Sequence, residues 1–160
     1  FFGNAMKLIP LTKGQHAIVD GEDFEFLSRH KWTALQKKNT FYAYRQPASG
    51  HIYMHRLLTN CPPGLDVDHV NGNGLDNRKS NLRICTRAQN LHNARCRRTG
   101  KTSRYKGVCW NRDLRKWMSS IRHNGKLVYV GFFLDEMTAA RAWDEAAIKY
   151  RGEFARLNFP

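Results

Sequence analysis

Residues 91–104, LHNARCRRTGKTSR, carry five Lys or Arg, no acid and few apolar side chains. Such a stretch cannot bury enough apolar surface to offset the entropy of ordering itself, so no single core can run through it. It reads as a basic linker between residues 6–90 and residues 105–160. The 160 residues, 41% of them hydrophobic, suffice for one ordinary domain or two small ones. FFGNA, residues 1–5 ahead of Met6, reads as a remnant of recombinant expression and adds nothing to the pattern.

In the first half, residues 6–90, AIVD (17–20), FYAYR (41–45) and HIYMHRLL (51–58) read as short strands, with QPASG turning between the last two. DFEFLSRHKW is expected to form one or two helical turns. LDVDHV alternates into NGNG, whose two Asn-Gly pairs suit the positive φ of tight turns. LRIC returns as a strand. Thr86 and Gln89 then form a T-x-x-Q capping box, which predicts a helix to about residue 95.

After the linker, RYKGVCW, KWMSSIRH and KLVYVGFF read as three strands, with a hairpin at His123-Asn124-Gly125. Alternation puts Trp117, Ser119 and Ile121 on one face and Met118, Ser120 and Arg122 on the other; Val128 and Val130 oppose Leu127 and Tyr129. DEMTAARAWDEAAIKYRG repeats Ala139, Ala142, Trp143, Ala146, Ala147 and Tyr150 at helical spacing, with Asp135 as N-cap and Gly152 as stop. The expected class is α+β: a mixed, β-rich first domain ending in strand-loop-strand-helix (about 65–95), then a three-stranded antiparallel sheet packed on one helix over 105–160.

Charge narrows the function. Lys plus Arg outnumber Asp plus Glu by 27 to 13, for a net charge of +14 and a pI near 10.1, as expected of a polyanion binder. The excess is uneven: residues 105–133 hold six basic residues against Asp113 alone, whereas 134–160 hold four basic and five acidic. No apolar run is long enough to span a bilayer, and the basic residues do not oppose one apolar stripe, so nucleic acid is favoured over a membrane. Cys61, Cys85, Cys96 and Cys109 show no C-x-x-C spacing and no signal peptide precedes them; they read as reduced thiols of an unsecreted protein.

Against that basic background, residues 66–90 gather five asparagines and three aspartates around one histidine, His69. Hydrolysis of a phosphodiester needs a base to activate water and a cation to neutralise developing charge. His69 alone in this stretch has an ordinary pKa suited to base work near neutrality. Asp68 offers a hard carboxylate oxygen and Asn90 an amide oxygen from the following helix; with water and phosphate these suit one Mg²⁺ or Mn²⁺. Asn81 could clamp the loop and orient the imidazole. Because strand neighbours point to opposite faces, Asp68 and His69 can share a site only if the chain bends there. His55 reads as a core residue that could approach phosphate as a secondary donor, and His92 points to a different helical face from Asn90.

The ordered set Asp68-His69, DNR at 76–78, Asn81-Leu82 and Asn90 resembles the HNH nucleases of the ββα-metal (His-Me finger) superfamily, in the branch of phage and intron homing endonucleases. IPLTKGQHAIVD and YMHRLL resemble the region upstream. The resemblance implies His69 as general base, Asn81 as its orienting asparagine, and Asp68 and Asn90 as ligands of one divalent ion. Asn90 stands where many members carry histidine, which points to the homing branch. The implied protein is a site-specific, nicking DNA endonuclease of a phage or mobile element, working in the cytoplasm or nucleoid of a bacterial host.

Residues 103–160 resemble the Apetala/ethylene-response-factor (ERF) DNA-binding domain through SRYKGV, KWMSSIR, the YVGFF run, AARAWDEAAIKYRG and LNFP. The resemblance implies a sheet lying in the major groove of double-stranded DNA. Its reading face would present Lys106, Trp110, Arg112, Arg115, Lys116, Ser120, Arg122, Lys126 and Tyr129, with Trp117, Val128, Val130 and Trp143 in the core. Arg95, Arg97, Arg98 and Lys101 would track the backbone from the linker. Plant members carry arginines around Cys109 and Asn111 and glutamate at Ser120, so their target sequence does not transfer. One active site per chain implies a monomer on DNA. The rival reading is a non-catalytic DNA-binding protein; an RNA enzyme is disfavoured because no aromatic stacking platform is evident.

Overall fold

The computed structural model describes residues 5–37, 40–48, 50–94 and 102–160. The linker residues Arg95, Arg97, Arg98 and Lys101 lie outside that set. The chain divides into two compact units, Phe1–Asn90 and Leu91–Pro160. It is a mixed α and β protein with four small sheets among the described residues.

In the first unit, β1 (Met6–Pro10) and β2 (His16–Asp20) form an antiparallel hairpin, followed by α1 (Gly21–Ser28). β3 (Thr33–Lys37), β4 (Thr40–Arg45) and the two-residue β5 (Ile52–Tyr53) make a second antiparallel sheet, and α2 (Met54–Thr59) follows at once. Ile9, Ala17, Val19, Leu27, Trp32, Ala43 and Met54 form the core. Leu27, fully buried, contributes about 1.5–3 kcal/mol by leaving water, and its carbonyl accepts from the Trp32 indole at 2.9 Å.

The structure corrects the expected strand at 51–58. Only Ile52–Tyr53 is extended, and MHRLLT is helical, ending at Asn60 in the left-handed region with φ 46°. Met54, Leu57 and Leu58 recur at helical spacing and pack on the core, so packing chose between two periods that a short apolar run supports equally. Strands β1 and β3 were not foreseen from residue pattern. β1 has only Ile9 buried, so its alternation is faint, and β3 is too short to show a period.

β6 (Asp66–His69) and β7 (Leu82–Cys85) pair antiparallel, with a single 3₁₀ turn (Lys79–Asn81) before β7 and α3 (Arg87–His92) after it. The capping box forms as its sequence predicts: Gln89 Oε1 accepts from Thr86 N at 2.8 Å, and Thr86 Oγ1 accepts from Gln89 N at 3.3 Å. Among the described residues α3 stops at His92, short of the expected residue 95.

In the second unit, β8 (Val108–Asn111), β9 (Lys116–His123) and β10 (Lys126–Phe133) form an antiparallel sheet with β9 central, and α4 (Glu136–Arg151) packs across it. The β9–β10 turn has Asn124 and Gly125 both at positive φ, 48° and 77°, the geometry an Asn-Gly hairpin favours. Ser119 and Ile121 are buried, as alternation predicts. The register slips by one residue between Tyr129 and Gly131, so Phe133 turns to the core while Phe132 stays exposed.

Asp135 caps α4, accepting from Thr138 N at 2.7 Å. Ala139, Ala140, Trp143 and Ala147 are buried; the small residues let the helix lie close to the sheet. Asp144 is also buried, where pattern reading expects only apolar positions. Its carboxylate accepts from the backbone of Asn158 at 2.8 Å and of Phe159 at 2.9 Å, so it ties the terminal LNFP segment to α4. No helix among the described residues is long and apolar enough to cross a membrane.

Candidate functional site

The loop between β6 and β7 is a rigid polar knot. Asn81 Oδ1 accepts from Asn71 N at 3.0 Å and its Nδ2 donates to Asp76 O at 2.7 Å, so one carboxamide spans the loop. Asp76 is gripped by Arg78 at 2.7 Å and Asn71 at 2.8 Å; Arg78 above all holds its carboxyl below the usual range. Backbone bonds lace the loop to β2, with Ile18 N donating to Leu75 O and Asn77 N to Ile18 O, both at 2.8 Å. Gly72 takes the positive φ, 74°, expected of NGNG, but Gly74 does not; a Cβ there would strike Phe41 O and the Tyr42 ring. The second glycine therefore serves close approach to β4.

This packing walls in His69, which is 5% exposed. Its ring stands edge-on to His55 of α2, with centroids 5.1 Å apart, and to Tyr42 of β4 at 5.7 Å. Burial lowers its pKa, partly countered by Asn77 beside it and by the carboxylates of Asp68 and Asp76. The imidazole is thereby favoured in the neutral form that a base needs. His55 is 8% exposed, and burial above all, with His69, Arg56 and Lys37 nearby, pushes its pKa down to about 3. Asn77 is fully buried. Sequence reasoning passed over Asn77 and Tyr42 because nothing in a lone Asn or Tyr marks it as facing a histidine.

β6 is extended through His69, whose cross-strand partner is Leu82. The pleat therefore sends Asp66 and Asp68 to one side and His69 to the other, and the bend expected to bring Asp68 and His69 to one face is absent from β6, although the Asp68 charge still acts on His69. Asp68 lies directly opposite Arg83, whose Nη2 donates to its Oδ2 at 2.6 Å and Nε at 2.9 Å. Asn90 Nδ2 donates to Asp66 Oδ2 at 3.1 Å, and this bond is the first cause of the lowered Asp66 pKa. The structure thus brings Asn90 to Asp66, Asp68 to Arg83, and His69 to Tyr42, His55 and Asn77. Asp66 was missed because its flanking position separated it from the Asp-His pair. His92 falls in the second unit, where Arg151, Lys106 and His123 act on it after burial.

Asp66 and Asp68 share one side of β6, and Asn90 of α3 meets Asp66; their oxygens are hard donors of the type that Mg²⁺ prefers. Among the described residues no group of three or more His, Cys, Asp or Glu could hold a metal. A cation here would therefore rely on the amide, phosphate and water for its remaining ligands, and it would compete with Arg83 for Asp68.

In the second unit, register sorts the residues expected on a reading face. Lys116, Ser120, Arg122 and Tyr129 share the face away from α4, with Arg112 and Arg115 exposed in the β8–β9 turn. Trp110 pairs with Trp117 across β8–β9, its ring 5.0 Å away, and so has the parity of the helix side. Lys126 has the parity of Val128, although it is exposed at the hairpin end. Lys106 lies over the Trp143 ring at 5.5 Å and donates to the carbonyls of His92 and Ala94 at 2.6 and 2.8 Å. Alternation alone could not place Trp110 and Lys106, because β8 begins only at Val108 and its register was unknown.

Residues 59–92 match the family model of HNH endonucleases. An uncharacterized HNH endonuclease of Acanthamoeba polyphaga mimivirus is 29% identical over 157 residues, 94% of this chain and 79% of that protein. The AP2-like ethylene-responsive transcription factor TOE2 of Arabidopsis thaliana and APETALA2-like protein 2 of Oryza sativa subsp. indica are each 48% identical over 59 residues. Those matches cover 37% of this chain, which spans only 12% and 14% of the two plant proteins. No solved structure matches. The chain is thus similar to HNH endonucleases over the β6–β7 hairpin and α3, and to AP2-like proteins over 59 residues.

Proposed function

We propose that this protein is a site-specific DNA endonuclease in which the first unit cuts and the second finds the site. The observation that carries the reading is that the HNH family match falls on the segment holding Asp68, His69, Asn81 and Asn90, with His69 buried and its imidazole favoured as neutral.

In this reading His69 takes a proton from water as it attacks phosphorus, and the bond to the 3′ oxygen breaks, leaving 5′-phosphate and 3′-hydroxyl ends. Asn81 fixes the loop that carries His69. Asp68 and Asn90, with Asp66 beside them, would hold one Mg²⁺ or Mn²⁺, which when bound stabilises charge on the leaving oxygen. Ser120, Arg122, Lys116 and Tyr129, with Arg112 and Arg115, would contact double-stranded DNA, the charged side chains supplying phosphate or guanine contacts. One site per chain makes the product a nick by a monomer. The viral relative accords with a protein carried by a mobile element; the homing type and phage origin are part of the reading proposed here.

The rival, a non-catalytic DNA-binding protein, draws on the ion pair that engages Asp68 with Arg83. The test is relaxation of a supercoiled plasmid library bearing random sites. Relaxation with Mg²⁺ or Mn²⁺ that EDTA abolishes, and that His69→Ala removes while DNA binding persists, is the expected result. Intact plasmid under every metal, with DNA still bound, overturns the nuclease and leaves the binder.

A further inference from the structure

The His69 wall contains a polar group that the reading above does not use. His55 is more than nine-tenths buried, yet its Nδ1 has no hydrogen-bond partner among the described residues. Asn77, fully buried, is engaged by the same imidazole, so the orphan atom on this wall is His55 Nδ1. A buried polar atom left unmatched costs free energy, so one that stands beside a functional imidazole calls for a small polar guest. The His55 and His69 ring centroids are 5.1 Å apart. A water hydrogen-bonded at about 2.8 Å to a nitrogen of each ring spans such a separation. A bound water also needs two or more polar partners, which these side chains supply.

We infer that His55 is a second catalytic residue of the site, holding the water that His69 deprotonates by a hydrogen bond through Nδ1. The inference rests on the nuclease reading. His55 does not take the proton; His69 does, and His55 keeps the oxygen in place as it attacks phosphorus. The groups acting on His55 are His69, Arg56, Lys37 and Asp66, with the rings of Tyr42 and Tyr53 packed against it. Burial and the two cations keep it neutral down to about pH 3, so it offers the same hydrogen bond throughout the working range of the enzyme.

The experiment compares His55→Asn, His55→Gln and His55→Phe with the parent in plasmid nicking from pH 5 to 9, alongside DNA affinity and Tm. Asn places its amide near the Nδ1 position, Gln reaches toward Nε2, and Phe keeps the ring without a polar atom. The expected result is a loss of kcat of about a hundredfold for Phe and Gln, with Asn retaining most of the rate and DNA affinity unchanged. The loss is the same factor at every pH, because the water is mispositioned and the base is untouched. Three outcomes overturn the inference: Phe as active as the parent, Asn as poor as Phe, or a rate profile displaced along the pH axis. A parent that cuts nothing, like His69→Ala, sinks the nuclease reading itself and is distinguished by that control.

Discussion

The two units solve opposite problems with polar side chains. In the first, polar groups are drawn inward: His55, Asp68, His69, Asp76, Asn77 and Asn81 are all buried. In the second, Arg112, Arg115, Lys116, Arg122, Lys126 and Tyr129 remain in solvent. Burial fixes geometry and shifts protonation, which suits a group that must act on one atom. Exposure leaves long cations free to meet a polyanion whose phosphates repeat, where reach matters more than fixed orientation. The contrast teaches that one chain can hold polar side chains fixed by burial in one unit and leave them free in solvent in the other.

The largest effect should come from His69→Ala, with nicking reduced by a thousandfold or more and DNA affinity held within about twofold. Equal loss of both would break the division between the units. Next, His55 couples the buried cluster to acid stability. Its pKa is about 3 when folded and about 6.5 when unfolded, so between those values the unfolded chain binds the extra proton and stability falls as pH falls. The first unit should lose of the order of 3 kcal/mol between pH 7 and pH 4, a loss that His55→Phe removes; urea melts at those two pH values measure it.

Asn81→Ala should cost about 2–3 kcal/mol, because it strands the Asn71 amide and the Asp76 carbonyl, read as a lower urea midpoint. On the exposed side, Arg122→Ala should weaken DNA binding about tenfold and lower the salt slope by about one, with no change in the stability of the first unit. Among the described residues Arg122 donates to the nearby Gly125 carbonyl, at 2.9 Å, so little of their folded structure depends on it. Smallest, Asp135→Ala should cost about 1 kcal/mol through loss of the α4 N-cap and leave plasmid nicking intact. A nicking defect there would mean that the units are not separable as described.

Local rules read from the sequence held where one residue decides one feature. The Thr86–Gln89 capping box, the Asn124-Gly125 turn and the Asp135 cap each depend on neighbours within a few positions, and each formed. The faces of β9 followed from strict alternation. By contrast, MHRLLT satisfied two periods at once and was settled by the core beneath it. Trp110 was placed by a register that its own residues do not encode.

The sequence by itself determined the chain's excess of positive charge and the concentration of His69, Asp68, Asn81 and Asn90 in one short segment, because composition and spacing are local properties. Only the tertiary structure decided which groups face His69, that Asp68 meets Arg83 and that Asn90 meets Asp66. The physical reason is that those partners lie on different elements. Packing, strand register and burial bring them together, and no spacing along the chain records the result.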